Sequence, residues 1–70
     1  MDKRVKLIEV RGDDGEFDDL IGLTGTLSTT VFDPDDSNDW LDFRPRSRFE
    51  DGGKITIETS LFNTFIFQVL

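Results

Sequence analysis

Cysteine and histidine are both missing from this 70-residue chain, and it holds only two prolines and one tryptophan. Without cysteine no disulfide can staple a small fold, and without either residue a zinc site of the Cys/His kind is excluded. The same absences remove the commonest general base and the thiol nucleophile. No apolar run approaches the roughly 20 residues that a membrane-spanning helix needs. The start, Met1-Asp2-Lys3-Arg4, is charged and leads directly into an apolar stretch, so it does not read as a secretory signal. The expectation is a complete, soluble, cytoplasmic single domain with no membrane contact and no cofactor. A chain of this length buries only about 60% of its unfolded surface, so its core is small and its stability margin thin.

What the chain has in excess is negative charge. Fifteen acidic residues against eight basic ones give a net charge of −7. Ten of those fifteen carboxylates lie between Asp13 and Asp42, most of them in two polar stretches, Asp13–Asp19 and Asp33–Asp39. Such a field repels nucleic acid and anionic membrane and attracts basic partners.

Between the acidic stretches the patterning is that of strands. Val5–Val10 is apolar enough for a first strand. Thr24–Phe32 alternates, with Leu23, Gly25, Leu27, Thr29 and Val31 on one face and Thr24, Thr26, Ser28 and Thr30 on the other, which predicts one half-buried strand. Trp40–Phe43 reads as a third strand, and Pro45, lacking a ladder donor, marks an edge, a bulge or a strand's end. Glu50-Asp51-Gly52-Gly53 is hairpin-turn chemistry. Lys54–Thr59 alternates with Ile55 and Ile57 inward. Ser60–Asn63 is a short connector fit for one turn of 3₁₀ helix, and Phe65–Leu70 closes the chain. The expectation is all-β: a small five-stranded barrel with a one-turn 3₁₀ connector before the last strand.

This order of elements resembles the SH3-like barrel. The segment Asp19-Leu20-Ile21-Gly22-Leu23-Thr24-Gly25-Thr26-Leu27 resembles the centre of a KOW motif, with Gly22 and Gly25 where that family places glycines for a tight turn and a close backbone approach. The likeness covers Val5 to Leu27. It implies a barrel and a role in transcription or translation that touches RNA or protein through basic or aromatic loops. In this chain the first long loop carries Asp13, Asp14, Glu16, Asp18 and Asp19 instead. In size and style the chain is similar to phage and mobile-element accessory proteins, which would place it in a host cytoplasm.

Several motifs bear on chemistry. Asp33-x-Asp35-x-Ser37-x-Asp39 spaces oxygens as a calcium loop does, but Asn38 stands where the loop needs glycine and Arg44 where it needs a bidentate Glu, so it reads as an acidic turn and no metal is expected. Arg11-Gly12-Asp13 matches an adhesion tripeptide by chance. General acid–base work needs carboxylates in an apolar cleft, whereas these cluster in polar loops, so no catalytic residue is assigned and no enzyme activity is expected. Arg44, Arg46 and Arg48 form an alternating stripe, read chiefly as internal pairing for the acidic loops, with phosphate contact as the alternative. Trp40 at a loop–strand junction suits either the core or a binding anchor.

The expected protein-binding set is Asp13, Asp14, Glu16, Asp18, Asp19, Asp33, Asp35, Asp36, Asp39 and Trp40, offered to a basic protein partner as an inhibitor or DNA mimic would offer it. Direct nucleic-acid binding is disfavoured by charge. The last strand is apolar on both faces, so Phe65, Ile66, Phe67 and Leu70 are expected to mediate self-association, as in a homodimer or a small structural subunit.

Overall fold

The computed structural model describes residues 3–12, 15, 17–28, 31–35, 41–42, 45–60 and 63–70, with 41 and 42 described by their backbone. Among the described residues seven strands follow in chain order: β1 (Lys3–Arg11), β2 (Thr24–Leu27), β3 (Val31–Pro34), β4 (Leu41–Asp42), β5 (Pro45–Asp51), β6 (Lys54–Thr59) and β7 (Thr64–Val69). They form one sheet in the order β4-β3-β2-β1-β7-β6-β5, antiparallel at every pairing.

Connectivity forces this sheet to curl. Laid flat, seven strands would set β4 and β5 about 29 Å apart. Yet only residues 43 and 44 separate Asp42 from Pro45, and three Cα steps span about 11 Å at most. The two edges of the sheet must therefore approach each other, and the sheet wraps into a half-barrel. β4 and β5 run in the same direction, the first paired to β3 and the second to β6. Side-chain contacts join strands that are not neighbours in the sheet. The Phe32 ring on β3 lies 5.1 Å from that of Phe67 on β7, although β2 and β1 lie between those strands in the sheet. Lys3 Nζ on β1 reaches Glu50 Oε2 on β5 at 3.0 Å.

The concave face holds the core: Val5 and Leu7, Leu27, Phe32, Ile55 and Ile57, and Phe65 and Phe67. Within β1, β6 and β7 these occupy alternate positions, as a strand buried on one face requires. Gly25 is imposed by packing. A Cβ there would lie 2.3 Å from the Asp33 carbonyl oxygen and 2.8 Å from Phe32 Cε1, so only glycine lets β2 and β3 close. The Gly52–Gly53 turn has φ of 58° and 82°, the double left-handed conformation that matches the twist of a two-residue hairpin.

Three expectations are corrected. The sheet has more than five strands. Thr24–Phe32 is not one strand: β2 ends at Leu27 and β3 starts at Val31, and the buried phase slips from odd positions (Gly25, Leu27) to even ones (Phe32, Pro34). The polar run Pro45–Asp51, read as stripe and turn, is an edge strand whose register shifts between Pro45 and Ser47. A 3₁₀ turn that was not expected lies at Asp18–Leu20 in the first long loop; Leu61 and Phe62 of the expected 3₁₀ connector lie outside the described residues.

Candidate protein-binding site

Alternating strand direction decides where the acidic stretches go. The chain leaves β1 at Arg11 and enters β2 at Thr24; it leaves β3 at Pro34 and enters β4 at Leu41. In an antiparallel sheet both connections open at the same end. The register ties them together, since Gly25 pairs with Val5 on one side and Pro34 on the other, and Asp35 N donates to Thr24 O at 2.9 Å. The connections after β2, β5 and the C-terminus lie at the other end.

The first acidic connection is anchored to the core. Phe17 sets its ring edge-on to Phe65 at 5.3 Å, and Leu20 and Leu23 pack against the same cluster. Backbone bonds fasten the segment to β1: Leu7 N donates to Leu23 O at 2.9 Å and Gly22 N donates to Leu7 O at 2.7 Å, with Gly22 at a φ of 100°. The 3₁₀ turn between these anchors, closed by Leu20 N to Phe17 O at 2.9 Å, holds Asp18 and Asp19 outward and exposed. Neither aspartate forms an ion pair with a described residue. Their outward placement comes from the packing of Phe17 and Leu20 on the core; the apolar pair flanking two aspartates is the signal in the sequence, and Phe17 has no assigned part there.

In the second stretch Asp33 projects from β3 into solvent, and Asp35 is exposed and ion-paired to Arg4. Asp13, Asp14, Glu16, Asp36, Asp39 and Trp40 of the expected set, and Arg44 of the stripe, lie outside the described residues.

Four of the eight basic residues, Lys3, Arg4, Arg11 and Arg48, are ion-paired within the molecule. Arg11 pairs with Glu9, which raises the arginine's pKa above its ordinary value, first through the hydrogen bond and then through charge. Arg48 gives its guanidinium to Glu50 at 2.9 and 3.2 Å and to the Ser28 carbonyl at 3.0 Å. The Glu50 carboxyl is pushed below its ordinary value by the Lys3 hydrogen bond first and the Arg48 bonds second. This cluster borders a cleft of about 250 Å³, lined by Lys3, Glu50, Gly53, Lys54, Ile55 and Val69, at the end opposite the acidic connections.

The expected self-association set divides. Phe65 and Phe67 are taken up by the chain's own core, 3% and 0% exposed, so they present nothing outward. β7 is a central strand paired on both sides, to β1 and β6. Ile66 is half-buried on the convex face and Leu70 is 62% exposed. Among the described residues no group of three or more Asp or Glu could hold a metal ion, and no helix is long and apolar enough to cross a membrane. No protein-family model, curated protein or solved structure matches this chain.

Proposed function

We propose that the protein is a non-enzymatic acidic binding module that presents one end of its sheet to a basic protein surface. The observation that carries this reading is that the strand ends flanking both acidic stretches lie at that one end of the sheet, with Asp18 and Asp19 held outward on a core-anchored turn. Carboxylates on a stiff support act as a preformed counterpart for a groove built to hold phosphates, because little ordering entropy is lost on binding. Such a module competes with nucleic acid for a basic groove, the behaviour of an inhibitor or DNA mimic from a phage or mobile element acting on a host or defence protein. Affinity then falls steeply with salt, since the attraction is screened over about 8 Å at physiological ionic strength. The test is affinity capture from cognate lysate with the wild-type chain and with a variant whose acidic-end aspartates are asparagine. Retention of the same basic protein by both would sink the proposal.

A second reading keeps the SH3-like, KOW-type assignment, with contact to RNA or polymerase through Arg44, Arg46, Arg48 and Trp40. The roles of Gly22, at positive φ, and Gly25, in close backbone approach, favour it. Against it, Arg48 is engaged by Glu50 and Ser28. A gel shift with single- and double-stranded RNA and DNA at low salt separates the two readings, because the acidic module gives no shift.

A further inference from the structure

Among the described residues Lys6 and Lys54 form no ion pair, although the chain has fifteen acidic residues and eight basic ones. The fold brings these two lysines into one row. Lys6 lies between the buried Val5 and Leu7 on β1, and Lys54 precedes the buried Ile55 on β6, so both project from the convex face. Gln68 of β7 opposes Lys6 on one side and Lys54 on the other. Its neighbour Phe67 is buried, which puts Gln68 on the convex face as well. All three side chains are exposed, and Gln68 makes no side-chain hydrogen bond within the described residues. A lysine–amide–lysine row thus crosses three adjacent strands, its two lysine backbones about 10 Å apart, or two strand spacings. A second row lies one pleat away. Ile66, two residues before Gln68, opposes Thr56, two residues after Lys54, and both are half-buried.

We infer that this row binds the phosphate group of a small organic phosphate monoester, at a site separate from the acidic end. Such a group carries about −1.5 to −2 charges at neutral pH and offers three acceptor oxygens. Two ammonium groups match that charge, and the Gln68 amide supplies a further donor between them. Lysine stems are long and flexible, so both heads can meet an anion centred over Gln68. Ile66, beside it on β7, gives the organic part of the ester an apolar surface. The neighbouring charges are accounted for. Arg4 is committed to Asp35. Asp51 opposes Lys54 across the β5–β6 pair without forming an ion pair with it, so its carboxylate weakens the hold on an anion. The net charge of −7 repels a long polyanion. A single dianion at this row is screened from carboxylates more than about 8 Å away at physiological ionic strength.

Nuclear magnetic resonance titration of the whole chain, with ionic strength held constant by chloride, reads the amides of Lys6, Lys54 and Gln68 directly. The probes are inorganic phosphate and phenyl phosphate. Both are expected to give saturable shifts centred on this row, with a dissociation constant of about 10 mM for inorganic phosphate. Phenyl phosphate is expected to bind about threefold more tightly through its ring. Lys6→Gln and Lys54→Gln are each expected to weaken phosphate about fivefold, and Asp51→Asn to strengthen it by a similar factor. Arg11→Gln removes the same charge from a position two rows away and is expected to leave binding unchanged. Ile66→Thr is expected to remove the advantage of phenyl phosphate while inorganic phosphate binds as before. The amide spectrum of each variant confirms its fold. Shifts that do not saturate, or that Arg11→Gln reduces as much as Lys6→Gln does, would mean an adventitious ion only and overturn the inference. So would an Asp51→Asn variant that binds no more tightly than wild type, or a single-stranded oligonucleotide that binds more tightly than phenyl phosphate.

Discussion

The Arg48 guanidinium donates a 3.0 Å hydrogen bond to the carbonyl oxygen of Ser28, twenty residues earlier in the chain and, in the sheet, beyond β6, β7 and β1. It is a side-chain bridge across the open side of the curled sheet, joined there by the Lys3–Glu50 and Arg48–Glu50 ion pairs. Backbone ladders hold the rest of the sheet together, while polar side chains close this seam.

Replacing Arg48 with methionine is expected to keep the stem's packing and lose the bridge. A partly exposed charged hydrogen bond of this kind is worth about 1 kcal/mol after solvent screening. In a domain this small that lowers the midpoint of thermal unfolding by about 4–8 °C. A thermal melt followed by circular dichroism checks it, and Arg48→Lys, which keeps charge without the planar fork, is expected to fall between.

The seam also titrates. Glu50 is held below its ordinary value of 4.5 by Lys3 and Arg48, so its contribution is present above pH 4.5 and lost as pH falls through its lower folded-state value. Wild type is therefore expected to exceed Glu50→Gln in stability at neutral pH, with the gap closing below about pH 4.5. Denaturant titrations at a series of pH values measure that gap; a gap that widens on acidification contradicts this assignment.

Gly25→Ala is expected to cost more than Gly22→Ala. The first drives a Cβ to 2.3 Å from the Asp33 carbonyl oxygen, a backbone atom that cannot swing away, whereas a Cβ on Gly22 meets nothing within 4 Å. Gly22→Ala then carries only the left-handed backbone cost of about 1–2 kcal/mol. Chemical denaturation of both variants orders them; equal losses would remove the close-approach explanation.

Two phenylalanines should behave in opposite ways. Phe32→Ala empties a fully buried site and is expected to cost about 3–5 kcal/mol, enough to unfold most of so small a domain. Phe49→Ser, at a side chain 63% exposed, is expected to leave the melting temperature of the isolated chain nearly unchanged. Melts at low micromolar concentration compare the two.

How far the fold could be read in advance depended on which force shaped each segment. β6 and β7 were legible because their inward residues alternate without interruption, and the Gly52–Gly53 hairpin because its conformation is nearly reserved for glycine. The break within Thr24–Phe32 was not, since threonine and serine alternate smoothly through it; the only local sign was Phe32, a large apolar residue out of phase with Leu27. β5 was hidden because its concave face carries Arg48 and Glu50, which belong to a seam rather than to the core. At the candidate site the acidic composition was plain from the residues. The placing of the strand ends that flank both acidic stretches at one end of the sheet was not, because it follows from strand order, and Phe17 became informative only against Phe65.

The most direct measurement of the central claim is the salt dependence of partner capture by the acidic end. Wild-type chain and an Asp18→Asn/Asp19→Asn variant extended to Asp13, Asp14 and Asp33 are each immobilised and exposed to cognate lysate at low and at high salt. A basic protein is expected to be retained by wild type at low salt, released at high salt and lost from the variant. Capture that is unchanged by salt and by the substitutions would contradict it.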